Sequence, residues 1–458
     1  MSATFDVRVW EITYYRGTRA TSYIVRWKVG RREWKERYRT RALADSFRSE
    51  LVAASRKGEA FVTETGRPVS AARSSQEGVA WLDFACDYVD MKWGPAAATY
   101  RRSISEAMTA ITVALIDGER DRPDDALIRR ALHRWAFNTS KRAVSDCPDE
   151  VHVVIRWVGR HSRPVARLAE PAVLRRVLTG ISLKLDGTPG AASVVNKRRR
   201  VLYNAVEYAV ECGHLDGNPL PAFKWKAPKT AGSIDRRSVV NPTQARVLLN
   251  AVRETRRSGP RLVAFFALLY FAGLRPEEAV NVRKRNLSLP ESGWGEIYLD
   301  EATPYAGSDW TNDGRQRDRR QLKNRARGEG RTIPAAPELT ELLQQHLGAY
   351  GTGLDGRLFP GERAEELPKL TYLRAWRAAR GVAFTPEVAA TPLGATPYTL
   401  RHACVSTWLN GGVPAPQVAE WAGHSVEVLL KVYAKCLDRQ DVVARRRVME
   451  ALGHRADT

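Results

Sequence analysis

The alternation of apolar and polar residues predicts a small sheet at the start of the chain. Residues 7–12 and 22–29 alternate, and a third alternating run, 34–38, follows a Gly-Arg-Arg turn. A period of two is typical of strands that bury one face. With an expected helix over 41–57, these strands form a β-rich module of residues 1–58.

This module is strongly basic. It holds 14 Lys and Arg against six Asp and Glu. A basic sheet with exposed aromatic rings is suited to a DNA groove, so we expect a DNA-binding role. The alternative is a sheet whose basic face is only solvated. The next segment, 58–77, is rich in Gly, Ser, Thr and Pro and is interpreted as a linker.

Helical periodicity dominates from residue 78 to residue 218. A buried face is predicted from five apolar positions at helical spacing: Trp81, Phe84, Ala85, Tyr88 and Val89. A long helix is expected over 193–212. Its inward positions are predicted to be Val194, Val201, Leu202, Ala205, Tyr208 and Ala209.

A second linker, 219–233, leads to a third unit, 235–458, which is helical with one strand-like interruption near 294–334. The predicted fold class is therefore mainly α with small β elements. Three domains are expected: the basic module 1–58, a helical domain 78–218 and a mixed α/β domain 235–458.

Composition narrows the classes of partner and of chemistry. The 458 residues include 73 Lys and Arg against 51 Asp and Glu, a net charge of +22, which favours a polyanion such as nucleic acid. The five cysteines are scattered without a CxxC pair, so we expect no disulfide, metal or cofactor. With no long apolar stretch and no signal-peptide pattern at the start, a cytoplasmic location is expected.

The first segment that carries candidate chemistry lies at a corner between two helices. The apolar helix 262–271 ends at Gly273, and Pro276 opens a new helix after Arg275. A guanidinium held by packing at such a corner is suited to a bidentate contact with a phosphate. Taken alone, a purely structural Arg is the more common explanation.

Two later segments add polar groups of the same kind. Pro397 starts a helix on which Tyr398 and Arg401 lie three residues apart, on one face. Further on, a helix ends at Gly423, His424 opens the next turn, and Tyr433 follows nine residues later. Each feature alone is more often a surface or core residue.

Together the three segments resemble the phage-integrase family of tyrosine recombinases. The family's first arginine motif, TGLRxxE, is matched over 273–278, with Ala272 in place of Thr. Its second motif, HxLRH, is matched at 400–402, but Tyr398 stands where the family has its first His.

The third motif of the family is LGH followed by a Tyr about nine residues later. Gly423, His424 and Tyr433 match it, with Ala422 in place of Leu. The resemblance covers about 240–440 and extends less sharply over the helical domain, which is similar to the family's SAM-like core-binding domain. The N-terminal module is similar only in style to arm-site-binding domains.

A further member of the family's site is a Lys on a β-hairpin between the two arginine motifs. Residues 297–299 and 331–334 look like strands of that hairpin, and Lys323 matches the usual spacing best. It is the only Lys between Lys284 and Lys369. The loop 309–320 is longer than usual for the family, and the alternative for Lys323 is a solvated loop residue.

The resemblance implies an enzyme that cuts and rejoins DNA. Arg275 and Arg401 would neutralise one phosphate, and His424 would hydrogen-bond its oxygens. Tyr433 would attack to give a 3′-phosphotyrosyl ester, and Lys323 would protonate the departing 5′ oxygen. Four protomers are implied around two DNA duplexes, with accessory DNA-bending or directionality proteins as further partners, in the integration or excision of a mobile element or phage.

Tyr398 is the clearest departure from the family pattern. The family His is thought to help deprotonate the nucleophile, and a phenol with a pKa near 10 is a poorer base. Tyr398 is expected to hydrogen-bond the phosphate or its surroundings, and His402 to compensate in part. Three alternatives stay open. They are a DNA-binding protein derived from a recombinase with impaired catalysis, an enzyme similar to type IB topoisomerases, and a telomere resolvase, which would be expected to have a larger and differently arranged chain.

Overall fold

The computed structural model describes residues 3–16, 21–69, 78–118, 121–144, 146–184, 187–230, 232, 234–255, 257–323, 325–326, 328–362, 366–433 and 440–452. The chain folds into two compact units. The first comprises residues 1–95 and 103–228, and the second comprises residues 96–102 and 229–458.

The first unit begins with the predicted sheet. Its elements are β1 (Ala3–Thr4), β2 (Val7–Val9), β3 (Thr13–Arg16), β4 (Thr21–Val29), β5 (Arg32–Tyr38), α1 (Arg41–Arg56) and β6 (Phe61–Val62). Strand β4 pairs antiparallel with β2, β3 and β5, and β1 pairs with β6. The alternation of 7–12 was expected to form one strand, but the strand ends at Val9.

One face of this sheet packs on helix α1. Val25, Trp27 and Val29 alternate along β4 and are buried with Phe47 and Leu51 of the helix. The side chains between them point to the other face, since successive residues of a strand face opposite sides. A basic face is thereby left opposite the helix.

The rest of the first unit is helical. Its helices are α2 (Trp81–Trp93), α3 (Ala98–Ala114, whose first turn belongs to the second unit), α4 (Asp125–Ala131), α5 (Thr139–Arg142), α6 (Asp149–His161), α7 (Pro171–Ser182) and α8 (Ala192–Glu211). A π-helical turn, Leu132–Ala136, follows α4 directly. All five residues of the predicted buried face on α2 are buried.

Helix α8 corrects one expected position. Val194 is 42% exposed, whereas its neighbour Val195 is buried. The buried stripe runs through 195, 202, 206 and 209, so Val194 falls at its edge in the first turn. Asn196 of α8 donates a hydrogen bond to the carbonyl oxygen of Pro228, so the first part of the expected 219–233 linker packs on this helix.

The second unit carries the segments with candidate chemistry. Its helices are α9 (Pro242–Glu254), α10 (Gly259–Phe271), α11 (Pro276–Ala279), α12 (Pro337–Tyr350), α13 (Lys369–Ala383), α14 (Pro386–Ala389), α15 (Tyr398–Asn410), α16 (Ala415–Ala422), α17 (Val426–Tyr433) and α18 (Gln440–Ala451). Its strands are β7 (Leu287–Ser288), β8 (Gly295–Leu299), β9 (Glu301–Ala302), β10 (Arg320–Gln321) and β11 (Arg331–Ala335).

Helix α10 forms the centre of this unit, because it is apolar on all sides and buried from Leu262 to Tyr270. Strand β8 pairs antiparallel with β11 and β7, which confirms the predicted strands of the hairpin region. The described chain is thus mainly helical with small sheets, as predicted. No described helix combines the length and the apolar character that crossing a membrane requires. The division into three domains stays a prediction.

Candidate active site

Arg275 lies at the corner between α10 and α11, as predicted. Gly273 makes the corner with a left-handed φ of 59°, and a Cβ there would lie 3.3 Å from Cys404 Sγ. The Arg275 guanidinium donates to Glu278 Oε1 at 2.8 Å and to the Gly423 carbonyl oxygen at 2.9 Å. Its backbone N–H donates to the other oxygen of Glu278. The side chain is therefore held at both ends.

Glu278 sits between two guanidinium groups. Arg331 of β11 donates to both Glu278 oxygens, at 3.1 and 2.8 Å, and to the Trp421 carbonyl oxygen at 2.9 Å. Burial by itself raises the pKa of Glu278, but Arg331 and Arg275 outweigh it and hold the pKa well below its usual range. The carboxylate therefore stays charged in the interior and fixes two arginines.

Arg401 of α15 is fully buried. It donates to the carbonyl oxygens of Gly273 and Ala422, the latter at 2.5 Å, and its Nη2 lies 2.8 Å from His424 Nε2. Burial lowers the pKa of Arg401, and the nearby charge of Arg275 lowers it further. The two guanidinium groups are thus close enough to repel each other.

His424 stands directly after the left-handed Gly423, which ends α16 with a φ of 64°. Burial, followed by Arg401 and Arg275, lowers the pKa of His424 to about 3. The ring is therefore neutral near pH 7, and it accepts from Arg401 at Nε2, so its proton is on Nδ1. In the described part of the chain, Nδ1 is buried without a partner.

Tyr433 ends α17 with its side chain fully buried. The ring packs among apolar residues of α15 and α16, and its hydroxyl lies 2.9 Å from His402 Nδ1. Burial and the charge of Arg401 lower the pKa of His402 to about 4. The phenol therefore faces a neutral imidazole.

Tyr398 is the first residue of α15 and is half-buried. Its ring meets the His402 ring edge-on, with centroids 5.0 Å apart. It is also near enough to interact electrostatically with Arg275 and Arg401.

Lys323 makes no described contact with the other five predicted residues. It is exposed in a turn that follows β10, and it makes no hydrogen bond or ion pair with the described chain. Its neighbours Asn324 and Arg327 are outside the described residues. The structure thus brings together Arg275, Tyr398, Arg401, His424 and Tyr433, while the role of Lys323 stays a prediction. No cluster of described His, Cys, Asp and Glu residues is arranged to hold a metal ion.

Comparison with known proteins places this geometry in a family. The model of the phage integrase family matches residues 238–439, which contain all six predicted site residues. The chain therefore contains a phage integrase family domain over residues 238–439, which we call the integrase domain.

The integrase domain is also similar to two curated tyrosine recombinases named XerC. The protein of Bradyrhizobium diazoefficiens is 26% identical over 194 residues, 39% of this chain and 51% of that protein. The protein of Rhodospirillum centenum is 27% identical over 177 residues, 38% of this chain and 42% of that protein. The chain thus spans about half the length of the curated relatives it matches.

Among solved structures, the integrase of the Tn1549 transposon in complex with circular intermediate DNA is similar, with a TM-score of 0.49 and 15% identity. The match covers 71% of this chain and 99% of that one. XerH bound to its difH substrate has a TM-score of 0.43 and 12% identity, over 78% of this chain and 97% of that one.

Two residues of the integrase-domain site went unrecognised as partners of the arginines. Glu278 was noted only as part of the first motif, although its position three residues after Arg275 indicates a contact on one helical turn. Arg331 gave no signal, because its contact with Glu278 spans 53 residues of sequence. His402 was expected only to compensate for Tyr398, yet it contacts Tyr433 directly.

Proposed function

We propose that this chain is a site-specific DNA recombinase that cuts and rejoins DNA through a covalent 3′-phosphotyrosyl bond to Tyr433. The observation that carries the proposal is the convergence of Arg275, Arg401 and His424 around the Gly423 turn, with the His424 and Tyr433 ring centroids 6.2 Å apart. These groups come from three distant segments of the integrase domain. Integration or excision of a mobile element or phage is the process proposed for it.

The groups suit the chemistry of a phosphodiester without a metal ion. A DNA phosphate resists attack because its oxygens carry negative charge, and two permanently charged guanidinium groups offset that charge as it grows in the transition state. The Tyr433 oxygen is the proposed nucleophile, so the bond energy is kept in the tyrosyl ester. Tyr398 is proposed to hydrogen-bond the phosphate, and Lys323 to protonate the leaving 5′ oxygen.

Two buried donors support a phosphate as the ligand. Arg401 Nε and His424 Nδ1 are buried without partners in the described chain. A buried donor without an acceptor costs about 1–3 kcal/mol, so such groups call for an explanation. Phosphate oxygens are suitable acceptors for both. Since Tyr433 and Arg401 are fully buried, the site must open locally to admit DNA.

The N-terminal sheet supports a second contact with DNA. On the face opposite α1, Arg26 stands directly across from Lys35, and Arg8 stands across from Lys28. Like charges directly opposite each other on neighbouring strands destabilise a sheet. We propose that this face binds DNA phosphates and that the module 1–58 acts as a DNA-binding domain, with 78–218 as the core-binding domain and 235–458 as the catalytic domain.

Salt-dependent binding tests the basic face. Substituting Arg26→Gln and Lys35→Gln together should reduce the slope of log affinity against log salt by about 2, since each lost phosphate contact lowers it by about 0.9. Arg56→Gln with Lys57→Gln is the matched control, because it removes the same charge from exposed positions at the end of α1. Equal changes in the two variants would contradict the assignment.

Covalent capture tests the nucleophile. The chain is mixed with a pool of randomised duplexes that carry a nick, so that cleavage releases a short fragment and the adduct cannot religate. Wild type and Tyr372→Phe, which alters another buried Tyr of the same domain, should form adducts stable to denaturant, and Tyr433→Phe should form none. Adducts with Tyr433→Phe would show that the nucleophile is wrong.

The same assay separates the alternatives. The full burial of Tyr433 favours one of them, a DNA-binding protein that does not cleave. Retention of duplexes without any adduct from wild type would support that alternative. Relaxation of a supercoiled plasmid by the monomer, with no dependence on a selected sequence, would instead support a topoisomerase. A recombinase should assemble as a tetramer on two selected duplexes, which light scattering detects.

A further inference from the structure

The Tyr433 hydroxyl already has a partner that can take a proton. His402 Nδ1 lies 2.9 Å from it, within the 2.6–3.2 Å that a general base requires. His402 directly follows Arg401 on α15. One helical turn therefore positions both the proposed phosphate-binding residue and the residue that contacts the proposed nucleophile.

The imidazole is in the state that this role needs. Burial and the charge of Arg401 lower the pKa of His402 to about 4, so the ring is neutral near pH 7. A neutral ring has one nitrogen without a proton, and that nitrogen accepts a hydrogen bond. The titratable groups that face the ring are Tyr398 and Arg401 on its own helix, with Tyr433 and His424 from the segments packed against it.

Tyr398 is less suited to the same task, although it stands where the family has its first His. It packs edge-on against His402, and its electrostatic interactions are with Arg275 and Arg401. Proton transfer from one phenol to another would leave a second phenolate beside the phosphate. Its position favours contact with the phosphate.

We infer that His402, rather than Tyr398, is the catalytic group that takes the Tyr433 proton during strand cleavage and returns it during religation. This inference rests on the proposed recombinase function. As the bond between Tyr433 Oη and phosphorus forms, the bond from phosphorus to the 5′ oxygen breaks. The phenol proton moves to His402 Nδ1, and the leaving oxygen takes a proton from the general acid. Religation reverses every transfer.

Binding of DNA should make the His402 imidazole a stronger base. In the free chain the positive charge of Arg401 disfavours a second proton on His402. A phosphate bound to Arg401 brings negative charge beside the imidazole and favours its protonated form. Proton transfer from Tyr433 is thereby coupled to the arrival of the DNA that Tyr433 attacks.

Single-turnover cleavage of duplexes obtained by the covalent capture tests the inference. His402→Asn offers an oxygen that can accept a hydrogen bond but cannot carry the proton, whereas His402→Phe removes both functions. Both should slow cleavage by about 10²-fold or more. In both variants the rate should then rise tenfold per pH unit above neutral pH, because the phenol must ionise without a base, while wild type stays level there.

Replacing Tyr433 by a fluorinated tyrosine with a more acidic phenol supplies the complementary arm. It should restore much of the rate in His402→Asn, because the phenol then loses its proton to solvent, and should change wild type little. Tyr398→Phe should lower the rate but keep the wild-type pH profile. A His402→Asn variant with wild-type rate and profile would overturn the inference, as would a Tyr398→Phe variant with the steep profile.

A measurement on the free protein does not depend on DNA or on catalysis. Long-range proton–nitrogen spectra with labelled His should place the single proton of His402 on Nε2 and leave Nδ1 as acceptor. A proton on Nδ1 would overturn the inference, because the ring would then donate to the phenol. If wild type forms no adduct at all, the proposed recombinase function falls together with the inference. If wild type forms adducts but the His402 variants cleave at the wild-type rate and with the wild-type pH profile, the inference fails and the proposed function stands.

Discussion

Glu278 provides the sharpest test of how the site is held together. It is 1% exposed and bonded to Arg275 and Arg331, which are themselves 8% and 3% exposed. In Glu278→Gln the amide keeps one acceptor and turns its nitrogen toward a guanidinium, so two donors face each other. Both arginines then keep their charges in the interior without a counter-ion.

The expected cost follows from this burial. Removing one partner of a buried ion pair destabilises proteins by about 3–5 kcal/mol, and here the carboxylate serves two cations. The matched control is Glu338→Gln, because Glu338 pairs with Arg246 at 2.7 Å in a setting where the side chains are 43% and 52% exposed. An exposed pair contributes roughly 0–1 kcal/mol, so the control should lose little.

A domain-resolved assay is needed, because a chain of several units need not unfold in one step. Hydrogen exchange during urea titration, read on peptides from α11 and β11, reports the integrase domain alone. Glu278→Gln should shift its midpoint to clearly lower urea, and should also lose covalent capture, since the Arg275 guanidinium is no longer fixed. Equal shifts in Glu278→Gln and Glu338→Gln would refute the idea that the buried carboxylate holds this corner.

Three further predictions address the turn, the histidines and the general acid. Gly423→Ala should lower stability by about 1–2 kcal/mol for its left-handed backbone. It should also impair capture, because the new Cβ would lie 3.1 Å from a buried guanidinium nitrogen. Gly213→Ala, with a φ of 74° and nothing within 4 Å, should show only the backbone cost. The pKa values of His402 and His424 in the folded chain lie below the value near 6.5 of an unfolded chain, so unfolding takes up protons at acidic pH. The free energy of unfolding should therefore fall as the pH drops from about 6.5 toward 4. Replacing both residues should flatten that part of the pH curve, as measured by urea unfolding. Lys323→Ala should slow cleavage of ordinary DNA and be rescued when sulfur replaces the leaving 5′ oxygen, since a thiolate needs no general acid; an unrescued rate would contradict its role.

Local features of the site were accessible from the sequence. The helix expected over 41–57 matches α1 to within one residue of its end, and the Gly273 and Pro276 positions predicted the corner that holds Arg275. Both depend on residues that are neighbours in the chain. The conformation of Gly423 was likewise indicated by its place at the end of a helix.

Contacts between segments were not accessible in the same way. Spacing along one helix shows that Tyr398 and Arg401 share a face, but it does not show which distant residue packs there. His402 and Tyr433 are 31 residues apart in sequence, and the bond between them depends on how α15 and α17 pack. The family resemblance predicted that the two arginines and Tyr433 lie in one site. It also assigned the base position to Tyr398, so the contact of His402 with Tyr433 was not predicted.

The two buried, highly charged parts of the site have different tasks. Arg275 is anchored by a carboxylate, so its position does not depend on DNA. Arg401 instead donates a hydrogen bond to His424. In the described chain, Arg401 Nε and His424 Nδ1 are left without an acceptor. A phosphate that supplied those acceptors would be stabilised by groups that are already desolvated, and their burial need not be repeated on binding. Tyr433 is fully buried, so in the proposed mechanism its hydroxyl is shielded from water until DNA opens the site.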